Sequence, residues 1–379
     1  MARAEDGRLL LLSSPLALFP GEEVEAEVRW KARHGEGQVL RWIKRDPRRV
    51  PAGCPVAATC GGCDLWEAGG AAAELKRSMI ADLLHRQLPG IQDWRYLPAP
   101  AEARRHRIQL HWDGTALGYH GRGSHQIVPV KACPIAADSL SNAIPRLREA
   151  IQEKILPQRP QRWELATGTP EGRVVAIDEQ GHVWLLDPDG WHRDVSEMSE
   201  IFEDFSLRHR AGGFFQVSPP WAVQAFRSVL EGWHLGGGTL FDLYGGVGLF
   251  SALLGKRFQR RVLVEYDIAA VEWAKRNLER LELPSDCIAS DIGKWLPEYL
   301  GDAEDVILLD PPRSGLEPEV SAKLLTARAE TMVLVGCDGA AFCRDLHRLG
   351  PAWKLRDLAV LDLFPLTHHV ECMGLLKRA

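Results

Sequence analysis

The sequence predicts an α/β protein: a doubly wound, Rossmann-like sheet over residues 205–379, a small β-barrel of OB type over 1–50, and a central α+β domain over 51–204 carrying a four-cysteine centre. Three observations carry this. From about residue 205 apolar strands alternate with helical stretches, the rhythm of a sheet covered on both faces. Before residue 50, apolar and polar residues alternate with period 2 around a Pro20-Gly21 turn. Between these regions Cys54, Cys60 and Cys63 fall within ten residues, and Cys133 recurs in Ala-Cys-Pro-Ile.

A chain of 379 residues has room for two or three domains, each with its own core. A net charge of -5 excludes a wholly basic coat for nucleic acid, so any phosphate-binding patch must be local. The apolar run Leu9 to Leu12 and Leu16 to Phe19 follows Glu5 and Asp6 and is broken at Ser13-Ser14-Pro15, which reads as a strand and not as a signal peptide. No stretch of about 18 apolar residues occurs, so no membrane span is expected, and thiols of this kind suit a reducing compartment. A cytoplasmic monomer is the expectation.

Along the N-terminal segment, Val24 to Trp30 and Gly37 to Trp42 read as strands. Arg29, Lys31, Arg33, Arg41, Lys44, Arg45, Arg48 and Arg49 concentrate positive charge there, either as a platform for an RNA backbone or as a solvated face. In the cysteine segment, Gly61-Gly62 lets a loop close around a soft metal centre, with Cys133 completing the shell. An iron-sulfur cluster is favoured, because a four-cysteine zinc site more often shows two Cys-x2-Cys pairs and this chain has one; four buried apolar thiols remain the plain alternative. Ala71 to Leu88 has helical spacing. Strands follow at Arg107 to Trp112, within Ala116 to Val130, at Arg173 to Ile177 and at His182 to Leu186, as in an antiparallel sheet.

In the C-terminal region the strands are Thr239 to Leu243, Arg261 to Glu265, Val306 to Asp310 and Thr331 to Val335, with a helix over Ala269 to Leu281. The first strand ends in Asp242-Leu-Tyr-Gly-Gly-Val-Gly248 and runs into a helix over Leu249 to Leu254, a turn that lets a ligand approach the backbone. Glu265 ends the next strand, where a carboxylate accepts hydrogen bonds from a ribose, and Asp291 follows the third, within reach of an adenine amino group. NAD and S-adenosylmethionine enzymes share such a turn. The methyl donor is favoured because the turn is not a full G-x-G-x-x-G and lies late in the chain; a turn that only packs helix on sheet is the remaining reading. Further strand ends deliver Asp310-Pro-Pro-Arg-Ser-Gly315, Gly336-Cys337-Asp338-Gly339 and Phe364-Pro-Leu-Thr-His-His-Val-Glu371.

On these motifs, over nearly its whole length, the chain resembles the RNA uridine-5-methyltransferase family, and specifically the iron-sulfur branch that acts on 23S ribosomal RNA. The resemblance implies a TRAM domain over 1–50 and a [4Fe-4S] cluster on Cys54, Cys60, Cys63 and Cys133. Leu117-Gly-Tyr-His and Ser124-His-Gln-Ile-Val-Pro-Val130 resemble the family's central domain. Phe214-Phe-Gln-Val217 implicates Gln216 at the methyl donor, where Tyr244, Glu265 and Asp310 also line the pocket; Cys337 is then the nucleophile and Glu371 the general base. The chemistry needs these types. Carbon 5 of uracil is too poor a nucleophile to take a methyl group from a sulfonium until a thiolate adds at carbon 6, and the carbon 5 proton must later be removed.

By motif position, Asp310 is also expected at the uracil edge and Arg313 at a phosphate or carbonyl, with His368 and His369 as structural partners. Arg104, Arg105, His106 and Arg107 are the expected contacts to the RNA backbone, and the cluster is expected to order the central domain for that contact. Cys287, Cys343 and Cys372 read as ordinary thiols. Two features depart from the family pattern. Asp338-Gly339 stands where an Asn-Pro pair is usual, and a carboxylate there is expected to raise the Cys337 pKa. Gly245 stands where a cysteine is often found, a change expected to matter little. A transfer-RNA uridine-5-methyltransferase and a catalytically silent RNA-binding homologue are the alternatives.

Overall fold

The computed structural model describes every residue except Met1, Pro15, Ala52, Val195 and Ser196. Pro15, expected to help break the N-terminal apolar run, therefore lies outside the described residues. The N-terminal strands pair in the order Ala2–Arg3, Leu9–Ser13, Gly35–Lys44, Glu23–Trp30. Among the described residues this is an open four-stranded sheet and not the expected closed barrel, since no pairing joins its outer strands.

Most basic residues of this segment pair with carboxylates. Arg41 pairs with Glu25, Lys31 with Glu36, Lys44 with Glu23, and Arg48 with Asp46 and Glu74. Arg49 is buried between Glu22 and Glu67, which ties the sheet to the cysteine segment. Only Arg29, Arg33 and Arg45 of the expected platform have no carboxylate partner among the described residues, and Arg45 lies over the Trp42 ring.

The central sheet has seven antiparallel strands, in the order Gly190–Asp194, Val183–Asp187, Val174–Asp178, Gln161–Thr167, Arg107–Trp112, Leu117–His120, Ile127–Pro129. The helix Asp138–Gln152 covers one face, because Leu140, Ile144, Leu147 and Ile151 recur at helical spacing and all are buried against Leu110, Trp163 and Leu165. A separate hairpin, Glu197–Ile201 with Ser206–Arg210, leads into the C-terminal region.

There the order is Asp286–Ala289, Phe258–Glu265, Gly237–Leu243, Val306–Leu309, Thr331–Gly336, Glu371–Arg378, Trp353–Leu361, Arg95–Leu97. The strands alternate sides: Ile307 and Leu309 enter one core while Val306 and Leu308 enter the other, as expected of strands buried on both faces. From Gly237–Leu243 the chain runs to Phe258–Glu265 and Asp286–Ala289 on one side and then crosses to Val306–Leu309 on the other, so the crevice of a doubly wound sheet opens at its carboxyl end.

Contacts cross the expected boundary at 205. The helix Ala72–Gln87 buries Ile80 and Leu84 in the C-terminal core beside Phe342 and Leu346, and Arg95–Leu97 adds a parallel edge strand to Ala359–Leu361. An amphipathic pattern announces a buried face but not what it is buried against. No helix among the described residues is long and apolar enough to cross a membrane.

Candidate active site

A cavity of about 720 Å³ opens at the carboxyl ends of the central strands, and Gln216, Tyr244, Glu265, Asp291, Asp310, Cys337 and Glu371 all line it. The glycine turn shapes one wall. Tyr244 adopts φ 60°, a left-handed conformation that costs a non-glycine residue on the order of 1 kcal/mol or more, and its hydroxyl donates to Glu317 at 2.5 Å. Gly246 N–H donates to Glu265 Oε2 at 3.1 Å and Asp267 N–H to Oε1 at 2.9 Å, so the carboxylate is held in a fixed orientation. At Gly245 a Cβ would stand 2.6 Å from Leu263 Cγ. The absence of a side chain there is a packing requirement of this chain, contrary to the expectation that it matters little.

Sequence reasoning missed Asp242 and Glu317. Asp242 is fully buried and accepts from Ser251 N–H at 2.9 Å and Ser251 Oγ–H at 2.6 Å, which fixes the start of the helix Leu249–Leu254 under the turn. Burial raises its carboxyl to about 7. Its place at the head of the glycine motif was the available signal.

Around the proposed chemistry, burial raises Asp310 to about 7, reinforced by Asp242 and Glu265. Glu371 is 4% exposed, its Oε1 has no hydrogen-bond partner, and burial together with Asp310 raises it well above the carboxylate range while Arg313 opposes. Cys337 follows the strand Thr331–Gly336; burial, then Glu371 and Asp310, push its thiol up to about 11, and Arg313 pulls it down. Asp338 is not among the groups that act most strongly on the thiol. Its Oδ1 accepts from Ala341 N–H at 2.8 Å and caps the helix Gly339–Leu349, a role that the sequence alone did not suggest.

The four cysteines Cys54, Cys60, Cys63 and Cys133 line a second cavity of about 530 Å³, which shares Phe214, Phe215, Val217, Arg313 and Phe364 with the first. All four thiols are free, and Cys60 Sγ accepts from Gly62 N–H at 3.4 Å. Burial pushes Cys63 up to about 12, against the pull of Arg105. Among the described residues no three His, Cys, Asp or Glu side chains stand close enough to hold a metal ion. The four cysteines nonetheless line one cavity, with a backbone N–H on the Cys60 sulfur.

Of the expected RNA-backbone residues, Arg105, His106 and Arg107 bond within the fold, while Arg104 bonds only within its own loop. Arg105 donates to Gly62 O at 3.3 Å in the cysteine loop, His106 is buried against Gly168 O, and Arg107 binds Glu164 and Gly213 O. Arg104 donates to Ala101 O at 2.8 Å. The His368 and His369 rings lie 4.1 Å apart at a tilt of 37°, and His368 pairs with Asp64.

The family pattern described as tRNA (Uracil-5-)-methyltransferase matches residues 298–379. An RNA methyltransferase of Streptomyces coelicolor is 33% identical over 418 residues, covering 100% of this chain and 90% of that protein. The 23S rRNA (uracil(1939)-C(5))-methyltransferase of Pseudomonas fluorescens is 29% identical, covering 96% of this chain and 86% of that one. In fold, the chain matches the Pyrococcus abyssi tRNA (uracil-54, C5)-methyltransferase solved with S-adenosyl-L-homocysteine, with TM-score 0.74, 24% identity, 96% of this chain and 95% of that chain covered. With the glycine turn, the strand-end acids and the cysteine all around one cavity, the chain belongs to the RNA uridine-5-methyltransferase family.

Proposed function

We propose that this RNA uracil-5-methyltransferase methylates carbon 5 of one uridine in 23S ribosomal RNA through a covalent bond between Cys337 and carbon 6. The observation that carries the reading is the meeting of Cys337 and Glu371 with Gln216, Tyr244, Glu265, Asp291 and Asp310 around a single cavity. The latter five hold S-adenosylmethionine, which supplies a methyl group on a sulfonium. Glu265, oriented by Gly246 and Asp267, faces the ribose.

Cys337 gives its proton to solvent and its thiolate adds to carbon 6, which places electron density on carbon 5. Carbon 5 takes the methyl group, and Glu371 removes the carbon 5 proton. The electrons of that C–H bond restore the double bond and expel the thiolate. Burial makes Glu371 a strong base for this step once it is ionised. Arg313 is the cation that favours the ionised forms of both Cys337 and Glu371.

Cys54, Cys60, Cys63 and Cys133 form the ligand set of a [4Fe-4S] cluster; iron and sulfide analysis separates this from zinc. Residues 1–50 act as a TRAM-like RNA-binding unit, 51–204 as the cluster-bearing unit and 205–379 as the catalytic unit of a cytoplasmic monomer. The four-cysteine set and the Pseudomonas relative favour ribosomal RNA. The description of the matching family pattern favours transfer RNA as the second reading.

The test is mass spectrometry after incubation with S-adenosylmethionine and RNA carrying 5-fluorouridine, where fluorine blocks proton removal. A covalent adduct on the Cys337 peptide is expected with ribosomal RNA and is absent in Cys337→Ala. Bound RNA and cofactor without an adduct would favour the silent homologue.

A further inference from the structure

We propose that Asp64, beside the last cysteine of the loop, is a positioning residue for Glu371, so that proton removal at carbon 5 depends on a clamp outside the catalytic cavity. The proposal rests on the covalent mechanism above. Glu371 opens the strand Glu371–Arg378 directly opposite Leu361, and residues 362–370 are the connection of that hairpin. First residues of strands fray unless the preceding loop is held.

This loop is held from the cysteine segment. Leu366 sits at φ 62°, a strained value for leucine, and its carbonyl accepts from both Asp64 N–H and Leu65 N–H at 2.9 Å. Asp64 Oδ2 in turn accepts from His368 N–H at 3.2 Å and pairs with its Nδ1 at 2.5 Å. Arg122 fixes Asp64 from behind, with Nη1 at 3.1 Å from Oδ1 and Nη2 at 2.6 Å from Cys63 O. At the loop's start, buried Lys76 binds Asp362 Oδ1 and donates to Phe364 O at 2.9 Å. The cysteine loop and the helix after it therefore grip the segment at Asp362, Phe364, Leu366 and His368, and the base follows three residues later.

The geometry assigns a step-specific consequence. Cys337 lies beside Glu371, since Gly336 pairs with Cys372, but it is anchored from its own side by the strand Thr331–Gly336 and the capped helix Gly339–Leu349, so loosening the clamp displaces Glu371 and leaves Cys337 in place. Addition and methyl transfer then proceed, and release fails. A displacement on the order of 1 Å is enough to slow a proton transfer about 100-fold.

The experiment uses full-length protein, unsubstituted RNA and S-adenosylmethionine, and follows both turnover and the fraction of protein covalently bound to methylated RNA. Asp64→Asn and His368→Ala are compared with Glu371→Gln, with iron content and thermal stability measured alongside. The expected result is a kcat lowered about 100-fold with adduct accumulating in both clamp variants, as in Glu371→Gln, at unchanged iron content. A fall in turnover without adduct, or unchanged turnover, overturns the proposal. Failure of Glu371→Gln itself to accumulate adduct would instead bring down the covalent reading, and the proposal with it.

Discussion

The ionisation of Cys337 gives the sharpest test of the site. Its thiol is pushed up to about 11 by burial and by Glu371 and Asp310, with Arg313 opposing. Such a thiol is ionised to about 10⁻³ at pH 8, and the fraction grows about tenfold per pH unit until the pKa is reached. Alkylation by iodoacetamide, followed by mass spectrometry of the Cys337 peptide, reads that fraction directly. Reactivity should climb without levelling from about pH 7 to about pH 10. Arg313→Gln removes the opposing cation and moves the curve to higher pH. Asp338→Asn leaves the curve in place, since that carboxylate faces the helix it caps. Levelling by about pH 9.5, as an unperturbed thiol shows, would refute the account of burial and carboxylate pressure. A gain in reactivity in Asp338→Asn would refute the assignment of Asp338 as a cap.

Lys76→Met leaves Asp362 buried without its cation and should cost about 3–5 kcal/mol in urea unfolding, while Lys76→Met with Asp362→Asn recovers most of it. Gly245→Ala drives a methyl group into Leu263 and should lower stability by about 1–3 kcal/mol and weaken S-adenosylmethionine binding in calorimetry; adding Leu263→Ala should restore the binding. Arg107→Gln breaks the contact with Glu164 and should lower thermal stability while leaving the salt dependence of RNA binding unchanged, because the side chain is spent inside the fold.

Much of the catalytic region was legible because its signals are local. The helix Leu249–Leu254 and the strand ends at Leu243, Glu265 and Leu309 follow from apolar runs stopped by glycine, acid or proline, and the strand ends bring the candidate residues together. What stayed hidden depends on register and on distant partners. Arg41 and Arg48 read as a phosphate-binding stripe until pairing sets Glu25 and Glu74 beside them. Asp338 reads as a charge next to a thiol until the helix starting at Gly339 claims its oxygen. The four cysteines announced a common site, and their shared cavity agrees with that, but spacing along a chain does not choose the metal.

The edge strand Arg95–Leu97 and the helix Ala72–Gln87 also bear on how this protein can be divided. A fragment cut at residue 205 would lose the partner of Trp353–Leu361, leaving a naked sheet edge, and would uncover the apolar seat of Ile80 and Leu84. Such a piece is an aggregation hazard and not a portable methyltransferase. The segment that joins the cysteine centre to the catalytic sheet is thus a shared beam, and recombination that exchanges one side without it would inherit an unfinished core.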